Sequence, residues 1–388
     1  MTTRWRPYGR QCIDDNDIKA VVDVLRSDWL TTGPQVPAFE AEFAQAVGAR
    51  YAVAVNSGTA ALHTAMNAAG IASGDDVLVP ALTFAASANS VVYQGGTPVF
   101  VDVDPNTLLI DIENARSKIN QRTKAIAAVD YAGQPCDYDK LNALADEYNL
   151  TLIADACHSL GGKYHDKPVG SLARLNTFSL HPVKPITSGE GGMITTDDSR
   201  LAELMRRFRN HGITTDHRQR EKSGACYYDM VSLGFNYRLT DLQAALGKSQ
   251  LAKLADWTRR RNEIADCYDE QLAGIEQVTG LVKQPDILHA YHLYVIRAES
   301  PELRDYLFAS MRAEQIGVTV HYRPVHMHPY YREEFGTKPG LCPVAEAAAA
   351  RILSLPIYPA MNENDVRDIV SVLTRCIENY VESSLSVS

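Results

Sequence analysis

The chain has 388 residues and 45% apolar content, so it can bury a substantial core, and its length allows two or three domains. Its formal charge of -9 argues against a broad nucleic-acid or anionic-membrane surface. The seven cysteines form no CxxC pair, so neither a disulfide framework nor a zinc knuckle is indicated.

No apolar run approaches the ~20 residues that a membrane-spanning helix needs. The first residues, MTTRWRPYGRQ, contain no apolar signal-peptide segment. We therefore expect a soluble protein of the cytoplasm that binds neither nucleic acid nor membrane.

From about residue 50, short β-branched runs alternate with helical stretches. The strand-like runs are YAVAV, DVLVPA, TPVFVDV, KAIAAVD, TLIADA and MITT. The segments between them have helical spacing, as in residues 137–149, where Leu141, Leu144, Ala145 and Tyr148 fall on one side. This alternation predicts an α/β fold with crossover helices and a mostly parallel central sheet.

The pattern changes in the second half of the chain. A long helical run begins at RLTDLQAALGKSQL and continues to about residue 274. The segments HLYVIRAE, PELRDYLFASMRAEQIG and VTVHYRPV then predict a smaller α+β unit. We predict an N-terminal arm and large domain over residues 1–250 and a small C-terminal domain over 251–388.

The segment VNSGTAALHTA, residues 55–65, reads as a strand end, a turn and a helix start. The free backbone N–H groups of Gly58, Thr59 and Ala60 could therefore bind a phosphate. The alternative is that Ser57 or Thr59 only caps the helix. This segment alone leaves both interpretations open.

Asp155 follows an apolar strand in LIADACHSLGG. Ligands of open α/β sheets bind at the carboxyl ends of strands, so this carboxylate could hold a protonated ligand nitrogen. It could equally be a helix cap or a solvated strand end. His158, three residues later, is a weaker candidate, because a lone histidine is more often a structural residue.

Lys184 lies between two prolines in FSLHPVKPITSGEGG. Pro182 and Pro185 each fix one backbone angle, and the glycine-rich turn lets the backbone approach a ligand closely. A lysine is usually a solvated surface charge, and it becomes a nucleophile only where burial or a cation lowers its pKa.

The three segments together have one common explanation. A phosphate-binding helix start, an aspartate for a pyridinium nitrogen and a lysine for a Schiff base are the parts that pyridoxal phosphate (PLP) needs. The sequence therefore predicts a PLP enzyme.

The same segments, in the same order, are similar to the DegT/DnrJ/EryC1/StrS sugar aminotransferases. The resemblance covers nearly the whole chain, from LRSDWLTTGPQVPAFEAEFAQAVGARYAVAVNSGTAAL through LGFNYRLTDLQAALGKSQL to LSLPIYP. It implies the PLP-dependent transferase fold, which is the aspartate aminotransferase fold type I.

The resemblance also implies roles for single residues. Lys184 would hold the cofactor aldehyde and act as the catalytic residue. The other implied cofactor contacts are Asp155 at the pyridine nitrogen, Gly58, Thr59 and Ser179 at the phosphate, Phe84 on the ring and His158 near the phenolic oxygen. His158 replaces a commoner glutamine, so its donor or acceptor role stays open.

Asn236, in GFNYRLTD, would reach the phosphate of a neighbouring subunit, which implies a homodimer with shared active sites. Without the resemblance, Asn236 reads as a turn residue before the next helix. No metal is expected, because His321, His326 and His328 match no common zinc spacing. Tyr322 and His326 are candidate substrate contacts, with packing as the alternative.

Within the family, VDYAGQPCDYD and GVTVHYRPVHMHPYY resemble the branch that makes UDP-4-amino-4,6-dideoxy-N-acetyl-β-L-altrosamine for pseudaminic acid. That branch implies L-glutamate as donor and a UDP-linked 4-keto-6-deoxy sugar as acceptor. Another nucleotide 4-keto sugar, such as a bacillosamine-type substrate, and a PLP-binding regulator without turnover remain alternatives. A related 3-dehydratase is disfavoured, because those enzymes have histidine where this chain has Lys184.

Overall fold

The structure is a computed structural model that describes residues 5–215, 220 and 224–387. The strands are β1 (Tyr51–Val55), β2 (Asp76–Pro80), β3 (Thr97–Val101), β4 (Thr123–Val129), β5 (Thr151–Asp155), β6 (Lys163–Tyr164), β7 (Lys167–Pro168), β8 (Leu175–Ser179), β9 (Gly192–Thr196), β10 (Val278–Gly280), β11 (Ile287–Leu288), β12 (Tyr294–Ala298) and β13 (Ile352–Leu355).

The helices of the described residues divide into two series along the chain. The first series is α1 (Asp15–Leu25), α2 (Gln35–Ala46), α3 (Gly58–Ala68), α4 (Ala85–Tyr93), α5 (Ile112–Lys118), α6 (Tyr138–Tyr148) and α7 (Ser199–Phe208). The second is α8 (Asp241–Leu251), α9 (Leu254–Leu272), α10 (Pro301–Ala313), α11 (Pro329–Glu334), α12 (Pro343–Ala349) and α13 (Glu363–Val387). Single 3₁₀ turns cover Tyr131–Gly133 and Val325–Met327.

The large sheet has the strand order β1-β9-β8-β5-β4-β2-β3. Strands β8, β5, β4, β2 and β3 run parallel to their neighbours in this series, whereas β9 is antiparallel to both β1 and β8. The strands are buried along almost their whole length, as expected of a sheet covered by helices on both faces. The predicted mostly parallel α/β sheet is confirmed.

Helix α6 shows how local chemistry sets an element. Asp137 caps its first turn by accepting from the Lys140 N–H at 3.1 Å, and Asn149 ends it in the left-handed conformation. Three of the four residues predicted on its inner side are buried. Tyr148 is the exception at 41% exposure, because its ring lies under the Arg116 guanidinium at the surface.

A second apolar core lies in the C-terminal part of the chain. It surrounds the antiparallel sheet β10-β12-β13 and draws its buried residues from 264–377. Val325, Tyr331 and Cys342 instead pack in the first core. The predicted boundary after residue 250 lies at the end of α8, and it stays a prediction because residues beyond it contribute to both cores.

The two longest helices, α9 and α13, have 19 and 25 residues. Both carry charged side chains along their length, as the segments TRRRNE and ENDVRD show. Within the described parts of the chain, no helix is both long and apolar enough to cross a bilayer.

Candidate active site

A cavity of about 840 Å³ opens where several strands of the large sheet end. Asn56 follows β1, Asp155 ends β5 and Ser179 ends β8, and all three line this cavity. Residues 319–322, from the C-terminal part of the chain, also line it. The parallel strands β4, β5 and β8 thus place the cavity at their carboxyl ends, where open α/β sheets bind ligands.

The first turn of α3 forms one wall of the cavity. Ser57 caps the helix by accepting from the Ala60 N–H at 3.1 Å, so the capping interpretation is correct. The cap uses only one of the free N–H groups of the turn, and Gly58 and Thr59 line the cavity. A Cβ added at Gly58 would lie 2.7 Å from the Cβ of Ser179, so only glycine allows this approach.

Asp155 is held by donors from two directions. Its Oδ2 accepts from the Ser87 hydroxyl at 2.6 Å, and its Oδ1 accepts from the Cys157 N–H at 3.3 Å. The Ser87 hydroxyl is itself 2.8 Å from that of Thr83. The Asp155 side chain is 5% exposed and no helix begins after it, so it is neither a helix cap nor a solvated strand end.

Lys184 lies in the turn between β8 and β9 with its side chain in the cavity. Its backbone N–H donates to the His181 carbonyl at 2.9 Å, and Pro185 and Ile186 after it are buried. Burial lowers the pKa of Lys184, while Cys157 and Asp155 act in the opposite direction. The surface-charge alternative is therefore wrong, and the amine is placed to be a nucleophile.

His158 is 4% exposed and lies beside Tyr322. Its Nε2 is 3.0 Å from the Tyr322 hydroxyl, and its Nδ1 has no hydrogen-bond partner among the described residues. Burial, followed by the charge of Lys184, lowers the pKa of His158 well below its usual range. Burial raises the pKa of Tyr322 well above its usual range, so both side chains are neutral at pH 7.

Phe84 precedes α4 and offers a ring to the cavity. The residue is 59% exposed, and its ring centroid is 5.9 Å from that of Tyr322. An aromatic ring left open at a cavity can stack on a planar ligand.

Two predicted residues do not line the cavity of their own chain. His326 is fully buried, with its ring near Phe100 and its Nε2 2.9 Å from a carboxylate oxygen of Glu346. The substrate role predicted for His326 is therefore corrected to packing. Asn236 lies at the surface, where its carbonyl accepts from the Asn56 side chain at 3.3 Å.

Tyr8, His292 and His321 line the cavity but were not predicted as site residues. His292 Nε2 is 3.5 Å from Lys184 Nζ, at the long limit of a hydrogen bond. The only local signal was a histidine just before an apolar strand, in HLYVIRA, and that does not reveal a partner 108 residues away.

The described residues contain no group of three or more histidine, cysteine, aspartate or glutamate side chains that could hold a metal ion. The chemistry that the cavity offers comes from a partly desolvated amine, a buried carboxylate, neutral imidazoles and a helix N-terminus. This set suits carbonyl and amine chemistry with an anionic ligand.

Comparison with known proteins gives a consistent result. The chain is 41% identical over 375 residues to the spore coat polysaccharide biosynthesis protein SpsC of Bacillus subtilis, covering 95% of this chain and 96% of SpsC. It superposes on PseC of Helicobacter pylori, an aminotransferase involved in pseudaminic acid biosynthesis, with a TM-score of 0.91 and 32% identity over 97% of this chain and 100% of PseC.

The PLP form of Spr1654 from Streptococcus pneumoniae also superposes with a TM-score of 0.91, at 29% identity, over 97% of this chain and 99% of that one. The fold is therefore that of the PLP-dependent aminotransferases of fold type I. The model of the DegT/DnrJ/EryC1/StrS aminotransferase family matches residues 11–374, and the chain belongs to this family.

Proposed function

We propose that this protein is a PLP-dependent aminotransferase that moves the amino group of L-glutamate to the C4 ketone of a UDP-linked 4-keto-6-deoxy-N-acetylated sugar. The observation that carries the proposal is the meeting of Lys184, Asp155 and the start of α3 around one cavity. The similarity to PseC supports the pseudaminic acid branch.

The residues present fit pyridoxal phosphate. The α3 turn offers N–H groups to a phosphate, and the Gly58–Ser179 approach adds a hydroxyl beside them. Asp155, oriented by Ser87, can hold a proton on the pyridine nitrogen. The free Nδ1 of buried His158 still needs a polar partner, which the phenolic oxygen would supply.

When bound, pyridoxal phosphate supplies a carbonyl carbon that accepts and gives up the amino group, and a ring that withdraws electrons. Lys184 Nζ would hold that carbon in the resting enzyme and would be freed when the glutamate amine takes its place. The free Nζ would then take the proton from the glutamate Cα, and 2-oxoglutarate would leave with an oxygen from water while its nitrogen stays behind. In the second half of the cycle, that nitrogen would replace the ketone oxygen of the sugar, which leaves as water, and Nζ would deliver a proton to C4.

The burial of Lys184 supports this role, because burial keeps a larger fraction of the amine neutral near pH 7. Asp155 would pair with the ring nitrogen, and Phe84 would cover one face of the ring. Tyr322 lies beside Phe84 at the cavity and is the proposed substrate contact.

We also propose a cytoplasmic homodimer in which Asn236 of each subunit completes the phosphate site of the other. The surface position of Asn236, outside the cavity of its own chain, suits this arrangement. The neighbouring segment exposes Tyr227, Met230 and Leu233 by 65% or more, an apolar surface that a second copy would cover.

The identity of the sugar is tested by offering the holoenzyme both epimeric UDP-4-keto sugars with glutamate. We expect amination of the L-arabino ketone, and the product is identified by NMR. Preference for the D-xylo ketone would overturn the assignment to the pseudaminic acid branch but leave the reaction class.

The Lys184→Ala variant tests the reaction class. It should fold, and the colour of its bound cofactor should not bleach when glutamate is added. Full amination by this variant would overturn the aminotransferase mechanism itself.

A further inference from the structure

His292 is the one imidazole among the described residues that has a hydrogen-bond contact with Lys184. It is 4% exposed, and its ring centroid is 4.4 Å from that of His158. Its Nδ1 has no partner in the described parts of the chain. A buried histidine whose only side-chain hydrogen-bonding contact within the described residues is Lys184 is poorly explained by packing alone.

The loop that carries His292 is fastened to the large domain. Ala290 N–H donates to the Gly133 carbonyl at 2.9 Å, and Leu293 N–H donates to the Ala132 carbonyl at 3.1 Å. Gly133 has a φ of +103°, and a Cβ there would lie 2.9 Å from the backbone nitrogen of His292. The loop therefore rests directly on the turn that follows β4, with no room for a side chain between them.

Arg261 fastens the same loop from the other side. Its Nη1 donates to the Tyr291 carbonyl at 3.0 Å and to the Ile357 carbonyl at 3.0 Å. The guanidinium is 2% exposed, and none of its hydrogen bonds in the described residues goes to a carboxylate. A buried arginine that bonds only carbonyls holds backbone in place, here the residue before His292.

The surroundings of Lys184 explain why the His292 ring is neutral. The titratable side chains that line the cavity together with the amine are Tyr8, Asp155, Cys157, His158, His181, Glu190, His292, His321 and Tyr322. Arg261 and Arg10 lie behind it, around a small cavity that Lys184 also lines. Burial, with the charge of Lys184, lowers the pKa of His292 well below its usual range, so the ring is neutral and Nε2 can accept.

We propose that His292 is a positioning residue for Lys184: its Nε2 accepts a hydrogen bond from Nζ and holds the amine in line whenever the lysine is not bound to the cofactor. This inference rests on the proposed transamination, in which Nζ is released in each half-reaction. A lysine side chain is flexible, so its Nζ atom no longer keeps one position once it is released. An acceptor on a loop fastened from both sides limits that freedom.

The test that needs no cofactor measures the pKa of Lys184 in the apoprotein. Labelling of Lys184 by an amine-reactive reagent is followed by mass spectrometry across pH 6 to 11. His292→Phe should lower this pKa by about one unit, because the ammonium loses an acceptor. His292→Gln, whose amide oxygen can accept, should restore much of the native value.

The matched control is His289→Gln. His289 is 6% exposed in the same loop and accepts from the Tyr291 N–H at 2.8 Å, but it does not line the cavity that holds Lys184. It should leave the labelling profile unchanged. An equal shift in His289→Gln, or an unchanged profile in His292→Phe, would overturn the proposal.

A second measurement uses the holoenzyme with glutamate deuterated at Cα. We expect His292→Phe to slow the half-reaction about tenfold, to raise its isotope effect and to leave the KM for glutamate unchanged. If His292→Phe does not fold, Arg261→Lys should lower the pKa of Lys184 in the labelling experiment by a smaller amount. If the labelling shift is found but the native protein does not react with glutamate, the proposed function is refuted and the positioning role of His292 is supported. An isotope effect in His292→Phe equal to that of the native protein would count against the positioning role.

Discussion

The backbone of Gly58 and the side chain of Ser179 lie so close that a Cβ added at residue 58 would be 2.7 Å from the Cβ of Ser179 and 3.0 Å from its Oγ. This contact joins the start of α3 to the end of β8 at the proposed phosphate site. The geometry of the phosphate contacts therefore depends on the absence of a single methyl group.

Gly58→Ala should weaken PLP binding about tenfold or more, because the helix start must move away from Ser179. The dissociation constant is measured by titrating the apoprotein and following the cofactor absorbance. Gly280→Ala is the control, since a Cβ there meets nothing within 4 Å. Native affinity in Gly58→Ala would show that the phosphate binds elsewhere.

Asp155→Asn should fold and bind PLP but react with glutamate about 10²-fold more slowly, because a neutral amide cannot stabilise a charged ring nitrogen. The rate is followed as loss of the cofactor's yellow colour in stopped flow. Ser87→Ala removes the 2.6 Å donor and keeps the carboxylate, so its loss should be under about tenfold. Equal losses in the two variants would contradict the proposed role of the charge.

Subunit mixing tests whether Asn236 serves the neighbouring site. Lys184→Ala and Asn236→Asp should each be nearly inactive, the second because a carboxylate repels the phosphate. Mixed and allowed to exchange subunits, they should recover about a quarter of native activity, because half of the dimers are hybrids and each hybrid has one intact site. No recovery in verified hybrids would place Asn236 in its own site or in none.

The apoprotein should lose stability as the pH falls from 7 toward 4. Burial lowers the pKa of His63 to about 4 and those of His289 and His321 to about 3. The unfolded chain takes up these protons near pH 6.5 while the folded chain does not, so stability is full above that pH and is lost below it. Each such histidine costs about 1.4 kcal/mol per pH unit in that window.

Urea unfolding at pH 7.5 and 5.5 measures this loss. His63→Gln should reduce the difference in unfolding free energy between the two pH values by about 1 kcal/mol. His211→Asn, at an exposed position with a φ of +58°, is the control and should leave the difference unchanged. The same difference in His63→Gln as in the native protein would show that His63 is not buried neutral.

Local sequence patterns predicted most of the fold. The buried strands β1, β2, β4 and β5 and helix α6 follow runs that are visible in the sequence, because strand burial and helix periodicity leave their marks within a few residues. Tyr148 was placed wrongly, since periodicity names a side of a helix but does not say how far the neighbouring surface extends.

The candidate site divides in the same way. Gly58, Asp155 and Lys184 stand in segments with their own chemical signals, and the structure gathers all three at one cavity. His326 belongs to a histidine-rich segment and was predicted to contact the substrate, but it packs in the core against Phe100. Nothing near His326 in sequence indicates Glu346, its partner.

The sequence by itself predicted the lysine, the aspartate and the helix start, because each is marked in a short contiguous stretch. It also predicted the α/β class and the family resemblance, because the order of such stretches along the chain carries both. Only the tertiary structure decided that His292 meets Lys184, that Tyr322 meets His158 and that Ser179 fits against Gly58. These pairs lie more than a hundred residues apart, and contacts over such separations depend on how distant helices, strands and loops pack together rather than on any local preference of the chain.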